Sequence, residues 1–173
     1  MGINVNELGC VMLDIKKGSI PKLLDEKDLY TSKNEEIFWM KGFVADKKAH
    51  VTLLYGLMKS GKIYEKYIKK LLKNWNLDSV EVERVDYFEG QLENEPNYCI
   101  VAHIKVTPKL LEGHERLQFL PHIDTFPGYK PHMTIAYVKK DEKIRDRAIA
   151  LYSRVLVGKR LKITGLNLGE DKS

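Results

Sequence analysis

This chain has few of the residues and segments that mark secreted, membrane-bound or metal-binding proteins. It has 2 cysteines, Cys10 and Cys99, which lie far apart. Neither belongs to a Cys-x-x-Cys pair or has a histidine at ligand spacing, which argues against a zinc or redox centre. No apolar run approaches the roughly 20 residues that span a bilayer, and the N-terminus lacks a charged segment followed by an apolar one. The sequence therefore predicts a cytoplasmic protein without cofactor or metal, whose cysteines are small hydrophobic residues of strands.

Positive charge is what the chain has in excess. Its 29 Lys and Arg residues outnumber 24 Asp and Glu residues, for a formal net charge of +5. An excess of this sign favours an anionic partner, although the placement of the charges matters more than their sum. At 173 residues, with 43% hydrophobic residues and no evident linker, the chain is long enough for a substantial core. We expect one domain over residues 1–173.

A six-residue pattern occurs twice in the chain. Residues 50–55 read His-Val-Thr-Leu-Leu-Tyr, and residues 132–137 read His-Met-Thr-Ile-Ala-Tyr. Because successive side chains of a β-strand point to opposite faces, the first and third residues of each copy share one face. The apolar residue between them faces the other way. Each copy is therefore predicted to bury an apolar row and to present a His–Thr pair, His50 with Thr52 and His132 with Thr134.

Two such pairs suit the cleavage of a phosphodiester that has a neighbouring hydroxyl. An imidazole with an unperturbed pKa of roughly 6.5 changes protonation near neutral pH, so one histidine can act as base while the other acts as acid. A threonine hydroxyl on the same face can donate a hydrogen bond to a phosphoryl oxygen. A single His-x-Thr strand is more often structural, but its repetition favours catalysis without a metal. The predicted catalytic residues are His50, Thr52, His132 and Thr134.

The strands His-Val-Thr-Leu and Pro-His-Met-Thr-Ile resemble the two signature motifs of the two-histidine (2H) phosphoesterases. That group includes bacterial RNA 2′,5′-ligase/2′,3′-cyclic phosphodiesterases and phage anti-CBASS nucleases, which destroy cyclic-oligonucleotide signals. The resemblance implies an α+β, LigT-like fold with two lobes, built from two pseudo-symmetric, mainly antiparallel sheets flanked by helices. It also implies an active site in the central cleft, without a metal. The residues that carry over are His50, Thr52, His132 and Thr134.

The apolar periodicities predict the order of helices and strands. Strands are predicted over residues 9–15, 50–55, 80–88, 98–106, 132–137 and 160–168. Helices are predicted over residues 19–27, 62–75 and 141–155, with a further helix beginning at residue 107. Residues 37–43 are interpreted as a strand or as an aromatic-rich loop.

Four residues outside the motifs are candidates for substrate binding. Prolines and a glycine stiffen residues 126–131, which could hold Tyr129 and Lys130 at the mouth of the cleft. Tyr129 could stack on a base and Lys130 could meet a phosphate. His122 lies in the loop that leads toward the second motif. Trp39 precedes the first motif, and we favour a place in the core over a role as a ligand platform.

The other two histidines, and a phosphate-loop-like segment, are interpreted as unrelated to function. His103 falls on the more polar side of its strand and is assigned a structural or surface role. His114 lies on a predicted helix, where we expect it to be exposed. Gly56, Gly61 and Lys62 match the spacing G-x-x-x-x-G-K, but Ile63 stands where Ser or Thr would bind Mg²⁺. A nucleotide triphosphatase is therefore disfavoured.

The leading hypothesis is a metal-independent phosphodiesterase that cleaves cyclic di- or trinucleotide signals. The compact chain with its long Lys-rich helix resembles the phage counter-defence members more than the RNA-processing members. The alternative is an enzyme of RNA ends that opens 2′,3′-cyclic phosphates or acts on 2′,5′ linkages. A rival from another class is a non-catalytic nucleotide-binding protein. Each reading implies a nucleotide ligand, no membrane and no obligate protein partner.

Overall fold

The computed structural model describes residues 8–124 and 127–169. Within these residues the chain forms six strands and three α-helices. The strands are β1 (Gly9–Ile15), β2 (His50–Leu57), β3 (Ser79–Glu89), β4 (Asn97–Ile104), β5 (His132–Lys139) and β6 (Arg160–Asn167). The helices are α1 (Glu65–Leu71), α2 (Pro108–Leu117) and α3 (Glu142–Leu156).

The strands form one antiparallel sheet in the order β2-β1-β6-β3-β4-β5. Only three residue pairs, between Ser79–Glu81 and Arg160–Lys162, join β6 to β3. This short junction divides the sheet into two three-stranded halves, and each half carries a motif strand at its outer edge. The expected α+β class with mainly antiparallel strands and flanking helices is confirmed, and this ladder joins the two expected sheets into one. The outer strands β2 and β5 nevertheless contact each other, so the sheet curves until its edges meet.

Helices cover one face of the sheet and leave the motif face accessible. Helix α3 packs against β3, β4 and β5, whereas α2 packs against β2 and α1. The residues of β1 alternate between buried and partly buried, with Val11, Leu13 and Ile15 turned into the core. Burial of these apolar rows removes hydrocarbon surface from water and is the main favourable term in folding.

The helix predicted from Ser19 does not form. The segment consists of turns and irregular chain, with a short 3₁₀ helix at Glu26–Asp28. The hydroxyl of Tyr152 on α3 donates to the carbonyl of Pro21 (2.8 Å) and accepts from the amide of Leu23 (3.0 Å). These long-range hydrogen bonds satisfy backbone groups that a helix would have paired locally. The prediction was wrong because the partner lies far away in the sequence.

Helix α1 is shorter than its periodicity predicts. Ile68 is fully buried as expected, but Ile63 and Tyr67 are 61% and 58% exposed. A helix of two turns contacts the core through a narrow stripe, and these two residues lie outside it. The apolar period of residues 62–75 predicts Ile63 and Tyr67 on the same inward side as Ile68, and for these two residues that prediction was wrong.

Trp75 fastens the chain after α1 to helix α2. Its indole Nε1 donates to the carbonyl of Lys109 (2.8 Å), and its ring lies directly against Gly113. A Cβ atom at Gly113 would lie 2.4 Å from Cζ2 of Trp75. The glycine therefore permits a close approach that any other residue would prevent.

Candidate active site

The two motif strands have the alternation that their sequences predict. Val51 and Met133 are fully buried, and the residues on either side of each are partly exposed. These flanking residues are His50, Thr52, His132 and Thr134. Each strand thus anchors its His–Thr pair with an apolar side chain in the core.

The strand register identifies the neighbours of each histidine. Directly opposed residues of antiparallel strands lie on the same face of the sheet. His50 is opposite Asp14 on β1, and His132 is opposite His103 on β4. The two halves are therefore alike in backbone but differ in chemistry, with a carboxylate beside one histidine and a third imidazole beside the other. The assignment of His103 to a merely structural or surface role did not foresee this position.

A β-bulge follows the threonine of β2. Val11 is paired with Leu54 and Met12 with Thr52, so the register passes over Leu53. One extra residue in a strand bends it and changes the direction of the side chains that follow. Leu53 and Leu54 are consequently both buried.

A second bulge occurs at the same motif position of β5. There the register passes over Ile135, between Thr134 and Ala136. Because each bulge adds one residue, the closing tyrosines Tyr55 and Tyr137 lie on the same face as the His–Thr pairs. The repeated pair of apolar residues before each tyrosine is the sequence signal of these bulges. The internal repeat therefore extends from residue types to backbone irregularities.

The two cysteines occupy equivalent positions on the motif face. Cys10 is opposite Tyr55, and Cys99 is opposite Tyr137. Cys99 is hydrogen-bonded to Thr134 and Tyr137, and burial raises the pKa of its thiol to about 11. Cys99 therefore remains a neutral thiol that helps to orient Thr134. Cys99 lies in a strand as expected, and its hydrogen bonds are a feature that the sequence did not reveal.

Both motif histidines are held by the same backbone contact. Nδ1 of His50 lies 2.9 Å from the carbonyl oxygen of Lys48, and Nδ1 of His132 lies 3.1 Å from that of Lys130. A carbonyl oxygen can only accept, so each Nδ1 carries the proton of the hydrogen bond. In the neutral form, Nε2 then keeps its lone pair and can accept a proton from a ligand.

The surroundings of His50 favour its neutral form. Burial lowers the pKa of His50, and the hydrogen bond to Lys48 and the charge of Asp14 oppose this effect in part. The charge of His132 lowers the pKa further, which means that the two imidazoles lie close enough to interact electrostatically. Asn167 donates from Nδ2 to Oδ1 of Asp14 (3.2 Å) and holds that carboxylate in place.

Tyr129 and His114 fasten β2 at its bulge. The Tyr129 ring stacks on the imidazole of His114, with centroids 4.0 Å apart and an interplanar angle of 12°. The Tyr129 hydroxyl donates to the carbonyl of Thr52 (2.8 Å), and Nδ1 of His114 lies 2.7 Å from the carbonyl of Leu53. His114 is half-buried, so its expected exposure was wrong. One face of the Tyr129 ring is thus covered by protein, whereas Lys130 is exposed.

His122 and Trp39 lie toward the other ends of the motif strands. His122 bridges to Leu57, the last residue of β2, and its Nε2 is 3.3 Å from Asp124. Trp39 is 45% exposed, so its predicted place in the core was wrong. Its neighbour Met40 contacts Asn97, which pairs with the last residue of β5. The fold therefore groups the four motif residues on one face but sets these two candidates apart from the histidines.

An aromatic cluster that the sequence did not reveal adjoins His132. The ring of Phe88 meets His132 edge-to-face at 5.1 Å and His103 at 5.8 Å, and the two imidazoles are 6.3 Å apart. Burial and the charges of Arg84 and His132 lower the pKa of His103. Asp86 and Glu83 oppose this shift in part. The alternating strand pattern indicated the polar face, but only the register shows which histidines share it.

The glycines of the phosphate-loop-like segment serve close backbone packing. A Cβ atom at Gly56 would lie 2.3 Å from the carbonyl oxygen of Ile123. One at Gly61 would lie 2.8 Å from the carbonyl oxygens of Cys10 and Leu168. The spacing of these glycines therefore has a structural explanation.

Residues 8–124 and 127–169 contain neither a group of metal-binding side chains nor a membrane-spanning helix. No three His, Cys, Asp or Glu side chains in these ranges are grouped in a way that could hold a metal ion. No helix in the same ranges is both long and apolar enough to cross a bilayer.

The fold and the repeated His-x-Thr strands define the class of two-histidine phosphoesterases. A family model described as the 2′-5′ RNA ligase superfamily matches residues 38–172, and the chain belongs to this superfamily. Membership is consistent with a phosphodiesterase or RNA-ligase-like activity.

The solved structure of Kluyveromyces marxianus Usb1 shares the fold, with a TM-score of 0.51 and 13% identity over 95% of each chain, which confirms the expected LigT-like fold. Kluyveromyces marxianus Usb1 with uridine monophosphate matches with a TM-score of 0.49 and 13% identity, over 96% of each chain. No curated protein matches the sequence. At this identity the structural similarity shows the fold alone.

Proposed function

We propose that this protein is a metal-independent phosphodiesterase acting on nucleotides with a hydroxyl beside the scissile phosphate, with His50 and His132 as its acid–base pair. One observation carries the proposal. The two histidines occupy equivalent positions in the two halves, and each is held through Nδ1 by the carbonyl two residues earlier. This leaves both Nε2 atoms available for proton transfer. Because each half contributes one histidine, the chain would act as a single two-lobed catalytic domain.

The proposed reaction begins with His50 as the base. Its Nε2 removes the proton of a ribose 2′-hydroxyl, whose oxygen attacks the adjacent phosphorus. His132 donates a proton to the departing 5′-oxygen, and the products are a 2′,3′-cyclic phosphate and a free 5′-hydroxyl. The hydroxyls of Thr52 and Thr134 donate hydrogen bonds to the non-bridging oxygens, where negative charge accumulates.

The electrostatic differences between the halves support these roles. Burial favours neutral His50, the form that a base requires. Asp14 then stabilises the imidazolium that forms when His50 takes the proton. Water can open the cyclic phosphate in a second step, in which His132 removes a proton from water and His50 protonates the departing ribose oxygen.

The proposed substrates are cyclic di- and trinucleotides, in keeping with the compact chain and its resemblance to phage counter-defence nucleases. RNA ends with 2′,3′-cyclic phosphates are the alternative. A cyclic oligonucleotide presents a phosphodiester with a free 2′-hydroxyl beside it, the substrate of the first step. An RNA end with a 2′,3′-cyclic phosphate presents the substrate of the second step. Product analysis on both classes therefore separates them.

The test is an incubation of purified protein, with excess chelator, against cyclic dinucleotides, cyclic trinucleotides, nucleoside 2′,3′-cyclic phosphates and 2′,5′-linked dinucleotides. Chromatography of the products identifies the bond that is cleaved. Since one acid–base group typically contributes about 10²- to 10⁴-fold in rate, His50→Ala and His132→Ala should each lower turnover at least that much. Tyr67→Ala, an exposed change on α1, is the matched control.

Three results would contradict the proposal. Wild-type turnover by either histidine variant would show that His50 and His132 are not the acid–base pair. Loss of wild-type activity on chelation would refute the metal-free mechanism. Binding of a substrate without any product would instead identify a non-catalytic nucleotide-binding protein.

A further inference from the structure

Phe88 is a large apolar side chain exposed beside the proposed catalytic residues. It lies opposite Cys99 in the β3–β4 ladder, and Cys99 lies opposite Tyr137, so all three share the motif face. Its side chain is 39% exposed, although an aromatic residue gains most from full burial. Exposed aromatic surface next to a polar site calls for a ligand that would cover it.

The contacts of Phe88 set its position relative to the phosphate site. The ring is nearly perpendicular to the imidazoles of His132 (89°) and His103 (86°), and its centroid is 5.1 Å from that of His132. The two histidines support the ring from the side of the proposed phosphate site. In a nucleotide, only the ribose separates the base from the phosphate. A phosphate at His132 therefore brings its own base within reach of Phe88.

We infer that Phe88 is the stacking platform for the nucleobase of the nucleotide whose phosphate contacts His132. This inference rests on the proposed function and adds where, and on which side of the cleft, the base binds. Every nucleobase has a π-face, so an aromatic platform accepts different bases and gives affinity more than sequence preference. The ligand class is a nucleotide bound through base and phosphate together.

In the described part of the other half of the sheet, the neighbours identified for His50 are polar. The corresponding neighbours of His50 are Asp14, opposite it on β1, and Asn167, which is hydrogen-bonded to Asp14. These groups are polar, and the carboxylate repels a second phosphate. The pseudo-symmetric site is therefore directional, with the base on the β3–β4–β5 side.

The experiment compares two ligands that differ only in the base. Adenosine 5′-monophosphate and ribose 5-phosphate are titrated calorimetrically into wild type, Phe88→Ala and Phe88→Trp. Phe119→Ala is the control, because Phe119 is 85% exposed and follows helix α2. Neither ligand is a diester, so binding is measured without turnover.

If Phe88 is the stacking platform, its removal should lower the affinity only for the ligand that carries a base. Stacking worth about 1–3 kcal/mol per base corresponds to roughly 5- to 150-fold in affinity. Phe88→Ala should weaken adenosine 5′-monophosphate by about that factor and leave ribose 5-phosphate unchanged, whereas Phe88→Trp should retain tight binding. Equal loss for both ligands, or wild-type affinity for adenosine 5′-monophosphate no greater than for ribose 5-phosphate, would overturn the inference.

A failure of the proposed function gives a different result. His132→Ala should weaken both ligands, because both carry the phosphate. If it weakens neither, the phosphate site at His132 is wrong, whatever Phe88 does. If it weakens both while Phe88→Ala changes neither, the phosphate site stands and the platform alone is refuted.

Discussion

Replacing Tyr129 by phenylalanine tests whether Tyr129 mainly holds β2 in position, through its hydrogen bond to the carbonyl of Thr52, or mainly stacks on a nucleobase. The substitution removes one hydroxyl and keeps the ring. In the structure that hydroxyl donates to the carbonyl of Thr52 at 2.8 Å, next to the bulge and two residues from His50. If Tyr129 mainly holds β2, Tyr129→Phe should lower both stability and turnover. If it mainly stacks on a base, phenylalanine should serve as well as tyrosine.

The expected size of the effect follows from that one hydrogen bond. An intramolecular hydrogen bond contributes about 0.5–1.5 kcal/mol net to the free energy of unfolding. For a chain of this length, 1 kcal/mol corresponds to about 2–4 °C in the melting temperature, so we expect a decrease of roughly 1–6 °C. Because catalysis depends on the positions of His50 and Thr52, kcat should decrease, by roughly 10-fold or less, with little change in KM.

Thermal unfolding and steady-state kinetics of Tyr129→Phe and Tyr129→Ala measure these quantities. Tyr67→Phe is the matched control, since Tyr67 is 58% exposed on α1 and should show neither effect. A Tyr129→Phe protein with wild-type melting temperature and kcat would show that the Tyr129 hydroxyl does not hold β2 in position. If Tyr129→Ala then raised KM alone, the ring would be a substrate contact.

Two further predictions concern stability. Gly113→Ala should lower the free energy of unfolding, measured in urea, by about 2 kcal/mol. Overpacking against Trp75 costs up to roughly 3 kcal/mol, and the higher helix propensity of alanine offsets about 1 kcal/mol of that. Unchanged stability would show that the Trp75 ring can move. The pKa of His50 and that of His103 are lowered on folding, so the unfolded chain binds more protons below about pH 6.5 and stability should decrease as the pH falls from 7 to 5. Melting temperatures of a His50→Asn/His103→Asn double variant should decrease less over that range, and an equal decrease would contradict the assignment.

Much of the fold could be predicted from short-range patterns. The two-residue period of the motif strands separates the His–Thr face from the buried row, since side-chain direction in a strand depends only on the local backbone. Helix starts are equally local. Thr107 accepts a hydrogen bond from the amide of Leu110, and Asp141 accepts from that of Lys143, as expected of N-cap residues.

The failures arise where a distant residue competes with a local preference. Residues near Ser19 have helical signals, but the hydroxyl of Tyr152 takes their backbone hydrogen bonds. Trp39 is a large aromatic residue of the kind that usually packs in a core, but it lies on a loop that leaves it 45% exposed. Neither outcome could be predicted from sequence neighbours, because the deciding contacts involve segments far along the chain.

The amino-acid sequence by itself determined which residues lie on the motif face and that two such faces exist. Only the tertiary structure decided what stands beside each histidine: Asp14 next to His50, and His103 with Phe88 next to His132. The physical reason is that side-chain alternation depends on one strand alone, whereas register depends on how two strands pair. The pairing of strands depends on bulges, on helix packing and on the curvature that brings β2 to β5, all of which involve the whole chain.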